Sequence, residues 1–122
     1  MTQTILTVDD SRTMRDMLKM ALVEAGYNVL QAVDGVDGLD VLQASAPPDV
    51  IVTDINMPKM DGFGLIEAVR KDSRYRKVPI LVLTTESDAA KKMRAKEAGA
   101  TGWIVKPFEP TKLIAAIRRV AA

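Results

Sequence analysis

Four side chains have the types and positions that chemistry needs: the adjacent Asp9 and Asp10, Asp54, and Lys106 just before Pro107. Each stands directly behind a short apolar run. Carboxylates drawn together against one ammonium are costly unless a divalent cation or a phosphoryl group joins them. Two adjacent carboxylates at a strand end suit Mg²⁺, which prefers oxygen ligands, keeps waters and needs few protein carboxylates. The same pair also suits the cap of a helix beginning near Ser11, and the sequence leaves both uses open. Asp54 follows Val50-Ile51-Val52-Thr53 without a break. Turn chemistry explains Pro58 and Asp61-Gly62 farther on. It does not explain a carboxylate at the buried end of an apolar strand. Beside Mg²⁺ such a carboxylate can act as a nucleophile and form an aspartyl phosphate.

Lys106 and two further residues gain meaning only beside the carboxylates. Lys106 is held extended by Pro107; it is either an exposed strand-end lysine or a partner for Asp54 that later binds phosphoryl oxygens. Thr84 closes Leu81-Val82-Leu83-Thr84 and is ordinary in a strand. Its hydroxyl could also donate to a phosphoryl oxygen. Trp103 is the single Trp. It is either packing or a ring that moves between inward and outward positions as the site changes.

The elements that must position these residues alternate regularly. Apolar runs predict strands at Ile5–Val8, Asn28–Ala32, Val50–Thr53, Ile80–Thr84 and Gly102–Val105, buried on both faces. Helical spacing relates Met14, Met17, Leu18, Ala21, Leu22 and Ala25, with Gly26 as a stop. Val36, Leu39 and Leu42 mark a short helix after Gly35. Leu65, Ile66 and Val69 mark a third helix, and Leu113, Ala116, Ile117 and Val120 the last. Ser87–Ala98 is helical but thinly apolar; its apolar positions are Ala and Met93, and Lys91, Lys92, Arg94 and Lys96 face outward. Gly99 ends it. The result is an α/β fold, (βα) five times over, with right-handed crossovers and a parallel five-stranded sheet covered by helices on both faces. A flavodoxin-like strand order 2-1-3-4-5 makes strands 1 and 3 neighbours, and the crevice at their C-terminal ends gathers Asp9, Asp10 and Asp54.

Composition narrows the chemistry. The 122 residues suit one domain, 1–122, and 48% hydrophobic content is enough for a core. With no Cys and no His, disulfides, thiolate or imidazole metal sites and a histidine base are excluded. A net charge of +1 gives no bulk attraction to nucleic acid or membrane. Neither a basic leader nor a long apolar run stands at the N-terminus, so no signal peptide or membrane span is expected and the cytoplasm is the default location.

Taken in order, the motifs resemble the receiver domain of two-component response regulators, from Ile5 to the last helix. They are Val8-Asp9-Asp10-Ser11, Asp54-Ile55-Asn56-Met57-Pro58, Met60-Asp61-Gly62, Thr84-Thr85-Glu86 and Gly102-Trp103-Ile104-Val105-Lys106-Pro107-Phe108. Within the family the likeness is greatest to the stand-alone chemotaxis receivers. The resemblance implies that Asp54 is the phosphoacceptor. Asp10, Asp54 and the main-chain carbonyl of Asn56 would bind Mg²⁺, with Asp9 holding a metal-bound water. Lys106 would contact the phosphoryl group, Thr84 would hydrogen-bond it on activation, and the ring at 103 would turn inward. Two positions depart from the usual pattern: Trp103, where the family usually has Tyr or Phe, and Thr85, where chemotaxis receivers often carry Ala. Asn56 and Glu86 would tune hydrolysis, which is expected to be quick.

The implied donor is the phosphohistidine of a sensor histidine kinase of the CheA type. The implied output is protein binding through the Ser87–Ala98 helix, strand 5 and the last helix, to a flagellar motor switch protein, with a phosphatase as a further partner. A monomer is expected, with no reaction on an external substrate beyond self-catalysed transfer and dephosphorylation. Other readings are the receiver of a DNA-binding transcription regulator, a phosphate sink, and a Mg²⁺-dependent phosphohydrolase.

Overall fold

The computed structural model describes residues 2–121. Five strands alternate with five helices. They are β1 (Thr4–Val8), α1 (Arg12–Glu24), β2 (Asn28–Ala32), α2 (Gly35–Ala44), β3 (Val50–Thr53), α3 (Gly62–Lys71), β4 (Ile80–Thr84), α4 (Ala89–Ala98), β5 (Gly102–Val105) and α5 (Pro110–Val120). All strand pairs are parallel, in the order β2-β1-β3-β4-β5. This is the expected α/β flavodoxin-like topology. β3 sits between β1 and β4, so Val8 pairs with Thr53 and Thr53 with Val82. That register brings the residues after β1 and β3 side by side.

Alternation along the central strands divides the core in two. Leu6, Val8, Ile51 and Val82 pack toward α2 and α3, against Leu42, Phe63, Leu65, Ile66 and Val69. Ile5, Val50, Val52, Leu81 and Leu83 point the other way, onto Leu18 and Leu22 of α1 and Leu113 and Ile117 of α5. Apolar area removed from water is the main stabilising term on both sides. Burial on both faces holds for β3, β4 and nearly all of β1, but not for β2 and β5. Those two are edge strands, and solvent reaches one side of each.

Helix starts follow side-chain caps. Ser11, Asp34, Asp61 and Asp88 each accept a hydrogen bond from a backbone N–H of the helix that follows. α4 therefore begins at Ala89 rather than Ser87, because Asp88 takes the cap position. Gly99 ends α4 with φ of 118°, a left-handed conformation that favours glycine. A single 3₁₀ turn at Ser73–Tyr75 has no counterpart in the sequence reading. Some apolar positions assigned to helix faces lie outside the core: the large side chains of Met17, Val36 and Met93 are exposed, as are Ala89 and Ala90. On α4 only Ala95 is buried, so the helix rests on its small residues. Among the described residues no helix is long and apolar enough to cross a membrane.

Candidate functional site

Each site residue sits where a strand gives way to a loop. Asp9 and Asp10 follow β1, Asp54 follows β3, Thr84 ends β4 and Lys106 follows β5. Backbone bonds continue the sheet through them: Asp54 N–H donates to Val8 O at 2.9 Å and Lys106 N–H to Thr84 O at 2.8 Å. Gly62 closes the site from behind. A Cβ there would collide with the Asp54 carbonyl, so only glycine lets α3 start this close to the strand end.

Alternation out of β1 separates the two adjacent aspartates. Asp9 is buried and Asp10 is exposed. Neither caps α1; Ser11 does, accepting from Met14 N–H at 3.2 Å. Asp9 Oδ1 accepts from Ser11 N–H at 2.9 Å, and the Arg15 guanidinium donates to the Asp9 carbonyl at 2.8 Å. Asp54 Oδ1 accepts from Ile55 N–H at 2.6 Å. The free oxygens of both carboxylates meet one ammonium. Lys106 Nζ lies 2.8 Å from Asp9 Oδ2 and 2.9 Å from Asp54 Oδ2, with side-chain exposures of 10%, 2% and 11% for the three. Burial alone lowers the Lys106 pKa, but hydrogen bonds and charges from Asp9 and Asp54 outweigh it and hold the ammonium above its ordinary value. The sequence pointed to Asp54 as the partner of Lys106. The expected gathering of carboxylates around one ammonium includes Asp9, whose bond to Lys106 is as short as that of Asp54.

Asp9, Asp10 and Asp54 each offer an oxygen within 4.8 Å of the others'. An all-oxygen, mostly carboxylate set open to water on the Asp10 side fits Mg²⁺ and fits no soft metal.

A second group flanks this centre. Thr84 is fully buried, and its Oγ1 accepts from Glu86 N–H at 3.3 Å. Asn56, exposed after Asp54, donates from Nδ2 to Glu86 Oε1 at 3.0 Å. Lys91 pairs with the same carboxylate at 3.1 Å, so it turns back toward the site rather than facing outward. The Asn56 amide, and then Lys91, hold the Glu86 carboxyl below its ordinary range. Trp103 is half-buried against the α2–α3 core, and its indole N–H donates to the Glu86 carbonyl at 3.0 Å. Thr85 is exposed.

The response regulator receiver domain model matches residues 5–118. The chain belongs to that family. Among relatives, this receiver is 46% identical over 110 residues to the chemotaxis protein CheY1 of Helicobacter pylori, covering 89% of each chain. Chemotaxis protein CheY4 of Vibrio cholerae is 46% identical, superposes with a TM-score of 0.93, and matches over 98% of this chain and 99% of its own. The receiver domain of the Pseudomonas aeruginosa sensor histidine kinase PA1611 is 26% identical with a TM-score of 0.90, covering 99% of this chain and 98% of its own. That structure has a magnesium ion coordinated in its active-site cleft.

Proposed function

We propose that this receiver takes a phosphoryl group onto Asp54 from a phosphohistidine of a CheA-like sensor histidine kinase and signals by binding a protein in chemotaxis. The observation that carries this reading is the Asp9–Lys106–Asp54 cluster. It is a nucleophilic carboxylate beside a cation at a strand-end crevice.

Asp9, Asp10, Asp54 and the Asn56 main-chain carbonyl would hold Mg²⁺, Asp9 through a bound water. When bound it neutralises charge on the incoming phosphoryl oxygens. An Asp54 carboxylate oxygen attacks phosphorus in line. The P–N bond breaks and its electron pair stays with the imidazole nitrogen. Lys106 moves from pairing with Asp54 to binding a phosphoryl oxygen as a point charge. The Thr84 hydroxyl turns to donate to another. Thr84 and Trp103 both bond to the backbone of Glu86. A shift of Thr84 toward the phosphoryl group therefore reaches Trp103 through Glu86, a local charge change biasing a two-state element. The chain needs no external substrate beyond its phosphodonor, and water later returns it to the starting state.

Output belongs to the α4–β5–α5 face. Ala89, Lys92, Met93, Lys96 and Trp103 line a cleft there. Its apolar floor and two lysines suit an acidic segment with apolar anchors, such as one from a flagellar motor switch protein. The cytoplasm is where such partners meet it.

The test is intact-protein mass after incubation with Mg²⁺ and a small acyl phosphate. One phosphoryl mass should appear, and disappear both with a chelator and in Asp54→Asn. If neither this donor nor a phosphorylated kinase adds mass to the wild type, Asp54 is not a phosphoacceptor.

A further inference from the structure

Four connections meet at Glu86. Its N–H donates to Thr84 Oγ1, its carbonyl accepts from Trp103, and its Oε1 meets both Asn56 Nδ2 and Lys91 Nζ. Asn56 lies two residues after Asp54, and Glu86 two after Thr84. Because β3 and β4 are neighbours, the Asn56–Glu86 bond ties the two loops that leave them, beside Asp54. Among the described residues Lys91 is the cation paired with this tie.

The position of Lys91 calls for an explanation. It lies in the first turn of α4, where the helix dipole disfavours a cation. Helix formation therefore does not account for it, whereas the 3.1 Å pair with Glu86 does.

We propose that Lys91 is a positioning residue that holds Glu86 across the mouth of the Asp54 site and so lengthens the life of a phosphoryl group there. The inference rests on Asp54 being the phosphoacceptor. A phosphoryl group on Asp54 adds negative charge near the Glu86 carboxylate. Lys91 balances that carboxylate and keeps it on Asn56. Without Lys91, repulsion drives Glu86 off and the tie opens. Water then reaches phosphorus: its oxygen bonds phosphorus, the P–O bond to Asp54 breaks, the carboxylate keeps the electron pair, and a water proton goes to solvent.

The experiment follows the decay of phosphoryl mass, after the donor is removed, in wild type, Lys91→Met, Lys91→Arg and Lys77→Gln. Lys77 is an exposed lysine at the opposite edge of the sheet, and its replacement makes the same change in net charge. Lys91→Met should shorten the lifetime about two- to five-fold, the range an exposed ion pair supports. Lys91→Arg should restore it, and Lys77→Gln should leave it unchanged. In a Glu86→Ala background, Lys91→Met should have no further effect. An unchanged or longer lifetime in Lys91→Met overturns the proposal, as does a shortening that persists without Glu86. If no protein, wild type included, gains phosphoryl mass, the phosphoacceptor reading falls and takes this one with it.

Discussion

Lys106 and Lys91 both reach carboxylates at the same edge of the sheet, yet their pairs differ in depth. Lys106 is 10% exposed and bonds two carboxylates that are almost closed to solvent. Lys91 is 42% exposed and meets one carboxylate that is 29% exposed. A buried pair cannot lose a partner cheaply, because the charge left behind has no water to turn to. An exposed pair can open at little cost. The chemical centre is therefore rigid and its border adjustable. A switch needs that combination: fixed geometry where a bond forms, and loose geometry where the change is passed on.

The strongest way to break this comparison is Lys106→Met. It leaves Asp9 and Asp54 facing each other without a cation, and should cost about 3 kcal/mol of stability in metal-free buffer. Denaturant titration reads this. The cost should shrink in an Asp54→Asn background, where one of the two charges is gone. A cost below that of an exposed pair would mean the centre is no more rigid than its border.

Magnesium should act on the centre alone. At about 100 times its dissociation constant it should add about 2.7 kcal/mol of unfolding free energy, and Asp10→Asn should weaken its binding. Lys91→Met should leave the magnesium response intact. Thermal melts with and without the ion distinguish these cases.

Alkaline pH sharpens the contrast further. Lys106 is held above its ordinary pKa of 10.5, so the folded state keeps that proton more tightly than the unfolded chain. The stability this confers is complete below pH 10.5 and is lost as pH rises through the folded value. Lys106→Met should remove this component of the alkaline loss, and Lys91→Met should not. The smallest effect belongs to Lys91→Met on stability itself, which should stay within about 1 kcal/mol even as the phosphoryl lifetime shortens.

How much of this could be read from the sequence depends on the physics of each element. β3 and β4 are continuous apolar runs because they are buried on both faces, so their limits were legible to the residue. Edge strands β2 and β5 have the same residue types but a different environment, and composition alone does not mark an edge. Met93 is the one large apolar residue on the thinly apolar α4. A thinly apolar helix can seat itself on Ala95, however, and leave the larger side chain outside. In the site, the meeting of Asp9, Asp10 and Asp54 followed from strand order. The unequal roles of Asp9 and Asp10 did not, because adjacent identical residues differ only once the backbone sends one inward. Lys91 carried no signal. Its partner lies five residues back across a loop, a spacing that no helical or strand period makes neighbours.

Which carboxylate receives the phosphoryl group can be read chemically. Borohydride reduces an aspartyl phosphate to homoserine, and peptide mass spectrometry then locates it. Homoserine at position 54 alone is the expected result. Homoserine at position 9 or 10, or none in protein that has gained the phosphoryl mass, would contradict the central claim that Lys106 and its paired carboxylates present Asp54 as the acceptor.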